Sequence, residues 1–199
     1  MKDKYLIAFD TETTGLQKNA GMTELGAVKI DLSGKFIDSF DEFSDPGIKI
    51  GDYVQKLTGI SNEMIKGAPK PYIVIEHFFK WAGKPENCIL LAHKSDFDVE
   101  VLCSEMENNK KEIINYRVTD TLSWVKKKLD FKCNKLEHLV EEIGYKPLKS
   151  HRAMYDSFST IKLAEYIIKN VEKPESKEEL WRLLLSKSEF FLNIHNKRG

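Results

Sequence analysis

Asp10 and Glu12 stand one residue apart at the end of the apolar run Tyr5-Leu6-Ile7-Ala8-Phe9. Such a run reads as a short buried strand. In a strand, side chains at i and i+2 point to one face, roughly 6–7 Å apart. The two carboxylates therefore share a face where the strand leaves the core. Like charges that close repel, and each raises its neighbour's pKa unless a cation intervenes. An oxygen-rich pair of this kind suits a hard divalent ion, magnesium or manganese. Taken alone, D-x-E is also what a strand end with solvated acids looks like, so its meaning depends on what lies downstream.

Two more acidic stations follow. AHKSDFDVEVL, residues 92–102, sits at a strand-to-helix junction, where a parallel sheet opens a crevice for ligands. Asp98 falls at the start of that helix. Asp96 competes with it, but Asp96 is the better placed to cap, which leaves Asp98 to point into the site. HRAMYDSFST, residues 151–160, supplies His151 and Asp156. Five residues apart, they would be rotated by about 140° on one helix. The useful geometry puts His151 on the incoming loop, Pro147 to Ser150 being a plausible mobile lead, and Asp156 in the first turns of the helix. Four carboxylates can hold two divalent ions that clamp the attacking and leaving oxygens of a phosphodiester. A histidine titrating near neutrality can take the proton of the attacking water. No serine or cysteine nucleophile motif such as G-x-S-x-G is present.

The elements that must position these residues are legible in outline. Glu24–Ile30 and Lys35–Phe40 read as second and third strands, with a turn at Ser33-Gly34, which implies an antiparallel meander. Residues 44–71 are rich in glycine and proline, with room only for short helices near Tyr53–Thr58 and Asn62–Lys66. Tyr72–Trp81 suits a buried helix, Ile89–Ala92 a strand, and Phe97–Glu107 a helix. Ile113–Val118 suits a last strand and Leu122–Lys128 a helix capped by Asp120. Asn134 is the expected cap of a helix through Ile143, and Ala153–Lys169 is the longest helix. Three strands in a row, then alternating helix and strand, predict α/β architecture with a mixed five-stranded sheet flanked by helices. Beyond Val171 the polar run EKPESKEE reads as a hinge, and Leu180–Leu192 as a final amphipathic helix that packs back or binds a partner. Residues 1–171 thus form one domain and 172–199 a C-terminal helical extension.

Composition fits a cytoplasmic protein. The chain has 199 residues, 41% hydrophobic and 31% charged, with formal net charge zero and therefore no global attraction to a polyanion. The halves differ: residues 1–100 hold 12 Lys and 16 Asp/Glu, and residues 101–199 hold 19 Lys/Arg and 15 Asp/Glu. The basic excess gathers in Lys126-Lys127-Lys128, Lys132, Lys135, Lys146, Lys149 and Arg152, a potential phosphate-attracting rim. Cys88, Cys103 and Cys133 have neither metal-ligand spacing nor a disulfide framework. No apolar run approaches a membrane span, and the polar start is no signal peptide.

With these residues in hand, the sequence resembles the DEDDh exonuclease family, which includes proofreading subunits of bacterial replicative polymerases. The family's D-x-E-T-T-G matches DTETTG at 10–15, and H-x-A-x-x-D matches HRAMYD at 151–156. A-H-N-x-x-F-D matches AHKSDFD at 92–98 except that Lys94 replaces the asparagine. ELGAVKI, LTGISNEMI and TDTL look like its intervening segments, so the resemblance covers about residues 4–170. It implies an RNase H-like fold and metal-dependent 3′→5′ removal of nucleoside monophosphates from single-stranded or frayed ends. By position, it implies that Asp10, Glu12 and Asp156 hold one Mg²⁺ or Mn²⁺, that Asp10 and Asp98 serve a second, and that His151 is the general base. Thr13, Thr14, Gly15, Leu16, His93, Lys94 and Phe97 are the implied substrate contacts, with Leu16 wedged against the last bases. DNA is the implied substrate, and a polymerase or other replication or repair protein a possible partner. An exoribonuclease, a non-catalytic binding subunit and a phosphatase with Asp10 as nucleophile are the alternatives; D-x-E fits the last poorly.

Overall fold

The computed structural model describes residues 3–17, 20–147 and 149–196. The first two residues, the last three of the C-terminal extension, and Leu148 in the loop leading to His151 lie outside the described residues. The sheet is built around β1 (Tyr5–Thr13), with β2 (Met22–Asp31) and β3 (Phe36–Phe43) joined antiparallel on one side. On the other side β4 (Cys88–Ala92) and β5 (Arg117–Asp120) run parallel to it. The five expected strands are all present, and a two-residue strand β6 (Glu189–Phe190) adds antiparallel to β5, giving the order β3-β2-β1-β4-β5-β6.

Helices α1 (Asp52–Thr58) and α2 (Asn62–Ile65) follow the meander. Next come α3 (Pro71–Ala82), α4 (Ser95–Asn108), α5 (Thr121–Lys128) and α6 (Leu136–Glu142). The last are α7 (Ala153–Ile167), α8 (Lys177–Lys187) and α9 (Phe191–Asn196). The two-residue alternation of β1 sorts the core into two layers. Ile7 and Phe9 pack with Val74 and Phe78 of α3, Val99 and Leu102 of α4, and Phe191 of α9. Leu6 and Ala8 pack with Trp124 of α5, Leu139 of α6, Ile161 and Ala164 of α7, and Leu180 and Leu184 of α8.

Several boundaries differ from the sequence reading. The last long-range strand occupies 117–120 rather than 113–118, because Tyr116 turns into the core and bonds through its hydroxyl to the Phe79 carbonyl. Asn134 does not cap α6: Lys135 holds that position without a side-chain bond. The single final helix is broken at Ser188, where β6 pairs with β5 and the Phe191 N–H donates to the Tyr116 carbonyl. That break drops the fully buried Phe191 between Phe9 and Tyr116, at ring centroid distances of 6.1 Å from each. The same alternation that sorts the core continues past Phe9, and it decides where the acids go.

Candidate active site

Asp10 and Glu12 project from β1 to the face covered by α7, the next positions after Leu6 and Ala8 on that face. Two features bring α7 down onto them. Gly26 pairs with Asp10 across β1 and β2, and a Cβ at Gly26 would overlap the backbone of Ala153 and Met154. The Ser157 hydroxyl, one turn along, donates to the Gly26 carbonyl at 3.0 Å. Only a glycine lets the first turn of α7 lie this close to the strand. Asp156 is thereby delivered to the acids: carboxylate oxygens of Asp10, Glu12 and Asp156 lie within 4.8 Å of one another.

Asp98 arrives from the opposite layer. Its Oδ1 accepts the Thr11 N–H at 3.0 Å and the Thr11 hydroxyl at 2.7 Å, and Thr11 points away from Asp10 and Glu12. The structure therefore groups three of the four predicted carboxylates and ties the fourth beside them through the intervening threonine. Asp96 stays in the first turn of α4. His151 has a left-handed backbone, φ 60°, and its N–H donates to Asp156 Oδ2 at 2.9 Å. It is a loop residue immediately outside α7, half-buried at the edge of the acids. A non-glycine residue in that conformation is uncommon and clusters at functional sites.

This crowding is electrostatically costly in the absence of a cation. Burial, then the charges of Asp98, Asp156 and Glu12, hold Asp10 well above the usual carboxylate range. Glu12 is pushed up to about 8 by burial and then by Asp156, Glu24 and Asp98. Burial raises Asp98 to about 7 against the pull of the Thr11 hydrogen bonds. It raises Asp156 to about 6 against the opposing effects of His151 and the Arg152 N–H. The donor set is all oxygen, as hard divalent cations require. The Arg152 guanidinium, which favours ionised Glu12, is committed to Glu24, so an ion is the remaining way to let all the acids ionise together. The residues fit such an ion.

Glu24 and Arg152 were not anticipated as partners. Glu24 is fully buried on β2, directly opposite Glu12. The Arg152 fork donates to it through Nε at 2.9 Å and Nη2 at 2.6 Å, and the Ala153 N–H donates to its second oxygen at 2.9 Å. This bidentate pair fastens the N-terminus of α7, and with it His151 and Asp156, to the sheet. A glutamate inside the otherwise apolar TELGAV strand was the available signal, since a charge there needs a partner.

The predicted substrate contacts divide. Leu16, 87% exposed, and Phe97, next to Asp98, line one groove of about 640 Å³ together with Gln17, Ile48, Glu100 and Glu105. That is ample for a nucleotide-sized ligand. The hydroxyls of Thr13 and Thr14 are used inside the turn, on the Gly15 carbonyl and the Gly21 N–H. Lys94 is exposed and left-handed, φ 74°, with its N–H on Asp120 Oδ1 at 2.8 Å. Asparagine would enter that conformation at lower cost than lysine. His93, expected at the substrate, instead has its Nε2 on the Asn134 carbonyl at 2.9 Å and its Nδ1 3.0 Å from the Thr121 hydroxyl. Burial lowers its pKa, so it is a neutral brace between the end of β4 and the loop before α6.

Comparison with known proteins agrees with this geometry. The RNase_T exonuclease family matches residues 7–164. The chain is 38% identical over 169 residues to a PolC-type DNA polymerase III of Caldanaerobacter subterraneus subsp. tengcongensis, covering 84% of this chain. It is 32% identical over 175 residues to that of Listeria monocytogenes, covering 87% of this chain. It spans only 12% of either relative's length. Among solved structures, a zinc-bound E. coli exonuclease I–single-stranded DNA complex superposes with a TM-score of 0.75 at 17% identity, over 85% of this chain and 41% of that one. Exonuclease X bound to 5′-overhanging duplex DNA gives 0.69 at 22%, over 90% and 99%. The nuclease domain of 3′hExo, a DEDDh member bound to rAMP, gives 0.73 at 16%, over 84% and 93%. The match over most of the chain, with relatives at 30% identity or more, shows that the chain belongs to the RNase_T exonuclease family.

Proposed function

We propose that the domain removes nucleoside 5′-monophosphates one at a time from single-stranded or frayed DNA 3′ ends, in a proofreading or repair setting. The observation that carries this reading is the convergence of Asp10, Glu12 and Asp156 within 4.8 Å, with Asp98 braced beside them. Two divalent ions, Mg²⁺ or Mn²⁺, would supply charge neutralisation of the phosphodiester and activation of water there. Asp10, Glu12 and Asp156 would hold one, and Asp10 with Asp98 the other. His151 sits on the loop at the edge of this cluster and takes the proton from the attacking water. Its backbone is fixed beside the acids by the αL conformation and by the N–H bond to Asp156. Leu16 and Phe97 grip the terminal base from the groove side, a sequence-tolerant contact worth roughly 1–3 kcal/mol.

DNA is favoured because the sequence relatives are DNA polymerases, and a polymerase or another replication or repair protein is the partner this suggests. The test is a time course on matched DNA and RNA oligonucleotides, single- and double-stranded, labelled at the 5′ end. The reading predicts a ladder of single-nucleotide steps with divalent ion, faster on single-stranded DNA. A faster ladder on RNA would replace DNA by RNA as the substrate. Internal cleavage would overturn the exonucleolytic assignment.

A further inference from the structure

Resting on that reading, we infer that the outer face of α1 and α2 is a track for the single-stranded DNA upstream of the scissile nucleotide. Among the described residues, seven large apolar side chains are exposed, and Ile48, Tyr53, Leu57 and Met64 all fall in this one segment, Leu16, Phe36 and Ile37 being the others. They are not displaced core residues. The segment has its own interior, Ile50, Ile60 and Ile65, and Asn62 locks it by bonding both the N–H and the carbonyl of Ile50. The exposed set therefore belongs to a fixed outer surface, and a clustered apolar surface of this kind marks a binding site.

Its position relates it to the active site at both ends. Ile48 lines the groove that holds Leu16 and Phe97. At the C-terminus of α1, the Lys149 ammonium lies over Gly59, 3.1 Å from where a Cβ would be, two residues before His151. The segment thus spans from the terminal-base groove to the histidine loop.

Its chemistry is that of a single strand. Tyr53, 76% exposed, shares a helical face with Lys56 and Leu57 at i+3 and i+4. Exposed Lys49, Lys56, Lys66 and Lys149 against exposed Asp52 and Glu63 leave a basic excess in a chain of zero net charge. Aromatic faces for bases interleaved with ammonium groups for phosphates are the recurring means of binding single strands without sequence preference.

The experiment compares kcat/KM for a thymidine 12-mer with that for a thymidine dinucleotide, which is too short to reach the track. The inference predicts a 12-mer/dinucleotide ratio above about 10 for the wild type, within the range one stacked base supplies. It predicts that Tyr53→Ala with Lys56→Ala lowers this ratio about tenfold, through KM of the 12-mer, and that Tyr53→Phe preserves it. A double variant with the wild-type ratio overturns the track and leaves the surface to another partner. A wild type that hydrolyses both without length dependence overturns it while the exonuclease reading stands. A wild type that hydrolyses neither overturns both.

Discussion

Glu12→Gln should stabilise the metal-free protein, and by an amount that grows with pH. In the folded protein the Glu12 carboxyl is pushed up to about 8, by burial first and by Asp156, Glu24 and Asp98 after it, from an ordinary value of 4.5. Between those two values the folded site retains a proton that the unfolded chain releases. The native state therefore binds more protons, and stability falls as pH rises. One proton corresponds to about 1.4 kcal/mol per pH unit, so this carboxyl removes at most about 2 kcal/mol between pH 6.0 and 7.5. In a chain of this size that is roughly 4–8 °C in Tm. An uncharged amide of the same shape has no such slope. The assay is thermal unfolding of EDTA-treated wild type and variant at the two pH values, with and without Mg²⁺. The Tm advantage of Glu12→Gln should widen by those few degrees at pH 7.5. Mg²⁺ should raise the wild type more at pH 7.5 than at 6.0, and the variant less than the wild type. A variant advantage independent of pH, or a variant less stable than wild type throughout, would refute the claim that the site is short of a cation.

Other perturbations have equally direct readouts. Gly26→Ala forces α7 off β2; it should cost about 1–3 kcal/mol by overpacking and abolish activity, seen as a lower Tm with no oligonucleotide shortening. Thr11→Val keeps side-chain volume but deletes the 2.7 Å hydroxyl bond to Asp98. A hydrogen bond to a charged group is worth roughly 1.5–3 kcal/mol of stability, so Tm should fall by several degrees. At a temperature where the variant is folded, kcat should fall by about tenfold or more because Asp98 is no longer held. Phe191→Ala empties a fully buried ring site and should cost about 3–5 kcal/mol, measured by urea unfolding, because α9 is part of the core layer beneath Phe9.

How much of this was legible beforehand follows from the range of each interaction. Asp10, Glu12, Asp98, His151 and Asp156 were visible because short motifs at strand and helix ends carry them. The shared face of Asp10 and Glu12 follows from strand periodicity alone. The devices that assemble the motifs were not visible. The Arg152–Glu24 pair spans 128 residues, and the role of Gly26 exists only once α7 crosses β2. Thr11 read as a spacer between two acids, yet its pointing to the other layer is what holds Asp98. The final helix read as continuous because Leu180 through Phe191 keep a helical apolar period. The tertiary gain of burying Phe191 and pairing β6 with β5 breaks it at Ser188.

Asp156 is the residue that α7 contributes to the acids, so its removal addresses the central claim most directly. The measurement is the rate of single-nucleotide shortening of a 5′-labelled single-stranded DNA in Mn²⁺, for wild type and Asp156→Ala, both checked for folding by circular dichroism. The convergence of β1 and α7 on one metal-holding site predicts a wild-type ladder that EDTA abolishes, and a variant slower by about a thousandfold or more, within the range a two-metal site supplies. An Asp156→Ala protein as active as the wild type would contradict it.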